Sequence, residues 1–174
     1  GLALGVYGIG QALCQVPLGW LSDRIGRKPA ITLGLLVFAA GSVLAALAED
    51  MAGIILGRTL QGMGAVAGAG LALAADLSRP DQRGKVMGLI GVSIGAAFLL
   101  ALMLGPPLFS IGGLPGLFAL MAGLALGALV LLWVAVPAAP PVQATPPVAG
   151  ALRRVLGDPA LNAMQLAVFV LHAA

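Results

Sequence analysis

Residues 19–29 read GWLSDRIGRKP. Asp23, Arg24, Arg27 and Lys28 place four charges within six positions, although the chain of 174 residues holds only nine basic and six acidic side chains. Long apolar runs lie on either side of the cluster. A soluble domain carries roughly 25% charged residues. Here charged residues are 9%, hydrophobic residues are 60% and the mean hydropathy is +1.08. That leaves too little polar surface for a fold in water. The cluster therefore reads as a junction between two membrane-crossing helices of an all-α integral membrane protein.

Outward from this junction the chain resolves into six apolar segments, at 2–21, 30–48, 52–75, 86–109, 116–136 and from 160 onward. About twenty helical residues cross a ~30 Å hydrocarbon core at 1.5 Å each, and the first five segments are long enough. Basic residues orient them. Arg24, Arg27 and Lys28 lie after the first segment, Arg79, Arg83 and Lys85 after the third, and Arg153 and Arg154 after the fifth. The alternate connections, around Glu49–Asp50 and at 110–115, hold no Lys or Arg. By the positive-inside rule, the connections at 22–29, 78–85 and 137–159 are cytoplasmic. The sequence pI near 9.8 then reflects topology rather than a nucleic-acid surface.

The first apolar stretch has no basic leader and no small-residue cleavage site, so it does not read as a secretory signal. Both ends fall within apolar sequence, as in a piece of a longer chain. Cys14 stands alone, which excludes an internal disulfide and a CxxC metal site. PAAPPVQATPP at 137–147 is a proline-rich linker that cannot pack as a helix. After it, Leu152, Val155 and Leu156 share a face beside Arg153 and Arg154, as either a short interfacial helix or a solvated loop. Glycines spaced four apart (Gly64/Gly68, Gly84/Gly88, Gly91/Gly95 and Gly123/Gly127) point to close helix packing in lipid.

Arg58 is the one basic residue inside a span, about six residues from the outer end of the third segment. A charge costs about 2.5–3.5 kcal/mol at a helix centre on insertion scales. It therefore either faces a cavity or partner, or snorkels to the outer interface. Tyr7, Gln11 and Gln15 recur at four-residue spacing, Gln61 follows Arg58 on the same face, and Asn162, Gln165 and His172 share one side of the last segment. These stripes either line a substrate path or join helices by hydrogen bonds. No HExxH, GxSxG, Walker loop or paired intramembrane carboxylate is present, so an enzyme, a metal site and an ATP-driven pump are not expected.

GWLSDRIGRKP resembles the cytoplasmic signature between the second and third helices of the major facilitator superfamily, through Gly19, Asp23, Arg24, Gly26, Arg27 and Lys28. GIILGRTLQGMGA resembles that family's fourth-helix signature, placing Arg58, Gln61, Gly62 and Gly64 on its positions. ALMLGPPL resembles the antiporter signature of the fifth helix through Gly105 and Pro106, although Ala101, Phe109 and Ser110 stand where glycines are usual. The resemblance implies the major facilitator fold, here helices two to six plus the start of helix seven. It makes 1–136 an N-terminal half-bundle lacking its first helix, 137–159 a cytoplasmic linker with a short interfacial helix, and 160–174 the start of the C-terminal half.

It further implies a secondary transporter, resembling bacterial drug exporters, that exchanges protons for small amphipathic compounds across the bacterial inner membrane by alternating access. No cofactor beyond the coupling proton, no nucleic acid and no ATP is implied. Membrane lipids and a small-molecule substrate are the expected partners, and the full-length protein is expected to be monomeric. In the family's scheme Gly19, Asp23, Arg24, Gly26, Arg27, Lys28 and Asp76 form a conformational latch. Asp23 meets a helix end of the other half there, and Arg27 holds Asp76. Arg58 serves proton coupling, and Tyr7, Gln11, Gln15, Gln165 and His172 are candidates for the substrate path. An uptake permease of the same superfamily and a non-transporting membrane scaffold or sensor are the alternative readings.

Overall fold

A computed structural model of the chain describes residues 2–64, 66–137, 157–159 and 162–163. The chain divides into two compact units, Gly1–Val142 and Gln143–Ala174. In the described part of the second unit, the Asn162 N–H donates to the Asp158 carbonyl at 3.0 Å. The body of the predicted linker, the stretch at 152–156, and Gln165 and His172 lie outside the described residues.

The first unit is all helical among the described residues: α1 (Leu2–Ile25), α2 (Arg27–Ala46), α3 (Met51–Met63), α4 (Ala67–Leu77) and α5 (Arg83–Val134). Arg27–Ala46, Met51–Leu77 and Arg83–Val134 are each long and apolar enough to cross a membrane. Large side chains such as Leu99, Leu102 and Met103 are exposed along α5. A helix bathed in lipid tails has no need to hide them, and its backbone polar groups are satisfied within the helix. The buried apolar cluster is correspondingly small: Ile31 of α2, Ala69 and Leu73 of α4, and Leu132 of α5.

Two glycines turn the chain. Gly26, with φ 96° and ψ 158°, is all that separates α1 from α2. Residues with a Cβ essentially never adopt that conformation. The charge cluster is therefore not a loop over 22–29. Asp23 and Arg24 belong to the last turn of α1, and Arg27 and Lys28 open α2. Gly113, with φ 60° and ψ −162°, breaks α5. A straight helix from Arg83 to Val134 would be about 77 Å long. Yet Arg27 reaches Asp76 just before α5, and its neighbour Lys28 reaches Val136 just after it. α5 thus doubles back at Gly113 as a hairpin of two spans, with its turn inside the expected connection at 110–115.

The third apolar segment reads as one helix over 52–75; the structure describes it as α3 up to Met63 and α4 from Ala67, and Met51–Leu77 together is long and apolar enough for one span. Asp50 caps the start of α3, its carboxylate accepting from the Gly53 N–H at 2.8 Å. At the other end Gly64 is pressed onto α2, where a Cβ would lie 2.5 Å from the Gly34 carbonyl oxygen and from the Phe38 nitrogen.

That contact belongs to a register. α2 and α3 run antiparallel, with Gly41 against Gly57 and Gly34 against Gly64. Both pairs are seven residues apart on both helices, so two turns of one match two turns of the other. A Cβ on Gly41 would lie 2.7 Å from the Gly57 carbonyl oxygen, and one on Gly57 would lie 2.7 Å from that of Gly41. Across α1 and α3, Gly62 is similarly closed against the Tyr7 carbonyl. The four-apart pairs picked from sequence mostly do not serve packing within this unit. A Cβ at Gly84, Gly88, Gly91, Gly95, Gly123 or Gly127 would meet nothing within 4 Å.

Candidate functional site

Three helices that approach this closely can share a buried polar side chain. Gln61 of α3 and Ser42 of α2 are both 0% exposed. Arg58, one turn before Gln61, donates from Nη1 to Gln61 Oε1 at 2.8 Å. Gln61 Nε2 donates to Ser42 Oγ at 2.7 Å, and Ser42 Oγ–H donates to the Phe38 carbonyl at 2.8 Å. The other side of the guanidinium lies over the Tyr7 ring of α1, 4.7 Å from its centroid, a cation–π contact. Met121 of α5 closes the group, its Sδ 3.8 Å from Gln61 Nε2. Every buried side-chain nitrogen or oxygen among the described residues has a partner.

Arg58 lies seven residues into α3, about 10 Å from its first residue, Met51. It does not snorkel outward alone. Its partners among the described residues, Gln61 and Tyr7, are uncharged. Beside it opens a groove of about 420 Å³ walled by Leu35, Phe38, Met121 and Leu124, with Tyr7 and Gln11 as its polar lining. Gln15, the third residue of that stripe, is exposed and is not part of the groove wall. Gly62 and Gly64 act through the absence of a side chain, Gly62 against α1 and Gly64 against α2.

A second group forms where α1, α2 and α4 end together. Arg27 binds two carboxylates, Asp23 Oδ1 at 2.7 Å and Asp76 Oδ2 at 3.0 Å, and donates to the buried Ser22 Oγ at 3.2 Å. Its side chain is 14% exposed, against 56% for Asp23 and 35% for Asp76. Asp23 and Arg27 thus pair across the Gly26 turn, and Arg27 ties both helices to the end of α4. Asp23 faces solvent on its outer side, and no helix end of another bundle is described near it. The other two cations go elsewhere. Arg24 stacks on Trp20 at 3.8 Å. Lys28 donates to the Val136 carbonyl at 2.7 Å and lies 5.0 Å from the Trp133 ring centroid. The Trp133 Nε1–H donates to Thr32 Oγ1 at 3.0 Å.

Some expected site residues are not gathered in. At Gly19, in the latch motif, a Cβ would meet nothing within 4 Å. Gly105 and Pro106 lie in the first half of α5, apart from both polar groups, and a Cβ on Gly105 would also meet open space. Sequence reasoning passed over Ser42, Ser22 and Trp133. A serine in an apolar span carries little signal alone. Ser42 sits seven residues from Leu35 and one from Gly41 on the face toward α3, which only the packing reveals.

These features define a multi-pass helical membrane protein. Its helices close on one another through glycines around an intramembrane arginine, and an acid–base cluster joins the helix ends at one face. The chain belongs to the Major Facilitator Superfamily, whose family model matches residues 1–174. It is 47% identical, over 99% of its length, to the inner membrane transport protein YajR of Escherichia coli K12, and it spans 38% of that protein. It is 46% identical over 68% of its length to an uncharacterized transporter of Buchnera aphidicola subsp. Baizongia pistaciae, spanning 30% of it. A triacylglyceride transporter of Mycolicibacterium smegmatis is 43% identical over 58% of the chain, which spans 18% of that protein.

Proposed function

We propose that the chain forms the N-terminal half-bundle of a proton-coupled secondary transporter that exports small amphipathic compounds across the bacterial inner membrane. The reading makes it neither an enzyme nor an ATP-driven pump. The observation that carries it is Arg58, whose partners inside the membrane among the described residues, Gln61 and Tyr7, are neutral. A guanidinium so placed attracts an anionic group, and an intramembrane carboxylate that gains and loses a proton is such a group. Protonation would release it from Arg58 and deprotonation would restore it, so proton occupancy changes which helix contacts are favourable. That is a coupling free energy, tied to two global states. The groove beside Arg58 supports an amphipathic cargo, with apolar walls and two polar groups. The transporter names of the relatives support the class.

The charge cluster serves as the latch of that cycle. Arg27 bridges three helix ends, and Asp23 keeps an exposed carboxylate edge for a helix N-terminus of the opposite half, where the helix dipole favours an anion. Uptake is the second reading. Ala101, Phe109 and Ser110 in place of glycines weaken the fifth-helix likeness to antiporters.

The test is proton flux in liposomes holding the full-length protein, with candidate compounds. Arg58→Ala should insert normally and lose proton-linked transport. Arg58→Lys keeps the charge but not the planar donor fork, and should be impaired as well. Wild-type transport by Arg58→Ala at normal expression would refute the coupling role.

A further inference from the structure

We propose that Ser42 is the positioning residue for Arg58, acting through Gln61. This rests on the coupling role given to Arg58 above and extends it to a residue on a different helix. The argument is one of hydrogen-bond polarity. A serine hydroxyl has one proton. In Ser42 that proton is committed to the Phe38 carbonyl one turn earlier on α2, at 2.8 Å. Oγ can therefore offer Gln61 only a lone pair, and only the amide N–H₂ of Gln61 can face it, at 2.7 Å. The amide is thereby fixed with Oε1 on the opposite side, where it meets Arg58 Nη1 at 2.8 Å.

Every bond in the series points the same way: Arg58 donates to Gln61, Gln61 to Ser42, and Ser42 to Phe38. Arg58 is donor-only, so it also requires Oε1 toward itself. The two ends of the chain agree, and bonds in such a series polarise one another in a low-dielectric interior. Both Gln61 and Ser42 are fully buried, so no solvent competes for the amide. The remaining neighbour of Nε2, Met121 Sδ at 3.8 Å, is a weak acceptor that would not hold its orientation. α2 carries no charge of its own at this depth, yet it decides where the α3 arginine sits. Arg58 can then be presented to its anionic partner only while α2 and α3 keep their close register.

Removing the hydroxyl is a mild change structurally. The Phe38 carbonyl keeps its place in the α2 helix, and alanine is the better helix former. Gln61 alone loses its anchor. In the full-length protein in liposomes, Ser42→Ala should lower the maximal proton-linked transport rate about five- to tenfold, the effect of one buried hydrogen bond. KM for the compound should be nearly unchanged, while the thermal midpoint in detergent should fall modestly, because the buried Gln61 amide loses its acceptor. The deciding measurement is a double-mutant cycle. In a Gln61→Leu background Ser42→Ala should have no further effect, because its only route to Arg58 is gone. A merely structural serine would lower the rate by the same factor in both backgrounds, and that result would overturn the proposal. Ser42→Cys, of the same shape but a weaker acceptor, carries the test if Ser42→Ala does not insert, and should change the rate in the same direction. Arg58→Ala is measured alongside. If it transports normally, the coupling role itself fails. If it is inactive while Ser42→Ala matches wild type, only the positioning role fails.

Discussion

Replacing Gly41 by alanine should open the bundle at a close contact between α2 and α3. The added Cβ would lie 2.7 Å from the Gly57 carbonyl oxygen, 2.7 Å from the Gln61 nitrogen and 2.8 Å from Leu60 Cβ. Two of the three are backbone atoms, which cannot rotate away. Relief requires the contact to open from 2.7 Å to about 3.4 Å, so α2 and α3 must part by about 0.7 Å. Overpacking of this kind costs about 1–3 kcal/mol. The same displacement would stretch the adjoining Gln61–Ser42 bond from 2.7 Å toward about 3.4 Å, beyond a normal hydrogen bond. Gly41→Ala should therefore lower both the thermal midpoint and proton-linked transport. Gly123→Ala is the matched control, because nothing lies within 4 Å of its Cβ. Its effect should be neutral or a gain of up to about 1 kcal/mol from helix propensity. The assay is thermal unfolding of the full-length variants in detergent, followed by transport in liposomes. Equal midpoints for Gly41→Ala and Gly123→Ala would refute the close register of α2 and α3.

Further outcomes follow from the charge cluster and the two turns. Arg27→Gln removes both carboxylate partners at once. Each is partly exposed and contributes about 0.2–1 kcal/mol, so insertion should be normal while cysteine accessibility on the two membrane faces shifts by up to several-fold. Unchanged accessibility would leave the cluster without a latch role. Lys28→Met loses its bond to Val136 and its place over Trp133, and the end of α5 should exchange its amide hydrogens faster while α3 does not. Gly26→Ala forces a Cβ into a glycine-only conformation at a cost of about 1–3 kcal/mol, and should lower the thermal midpoint where Gly19→Ala does not. In a Cys14→Ser background, a cysteine at position 27 should resist an impermeant thiol reagent in intact cells and one at position 49 should react. The reverse pattern would invert the topology.

Composition and spacing alone determined the class, a helical protein with several runs long and apolar enough to cross a membrane. The reason is that lipid as solvent constrains a chain severely: apolar runs must be about twenty residues long, and cations collect on one side. The hairpin in α5 shows this well. The apolar lengths and the missing cations place a turn at 110–115, and the non-helical backbone of Gly113 makes it. The family signatures also carried the pairing of Arg27 with Asp76, 49 residues away. Tertiary structure decided which small residues touch. Periodicity marks glycine stripes, but a stripe packs only if a neighbour lies on that side. Gly41/Gly57 and Gly34/Gly64 are contacts between helices rather than along one, and spacing within a helix cannot report them. The close approach of Gly62 to α1 is a second case, since nothing along 52–75 tells which helix will lie against it. Arg58 is the third. Its cost in the membrane was legible from its position, but its partners were not. Gln61, Ser42 and Tyr7 come from three helices, and a hydrogen-bond chain exists only once packing has set its donors and acceptors face to face.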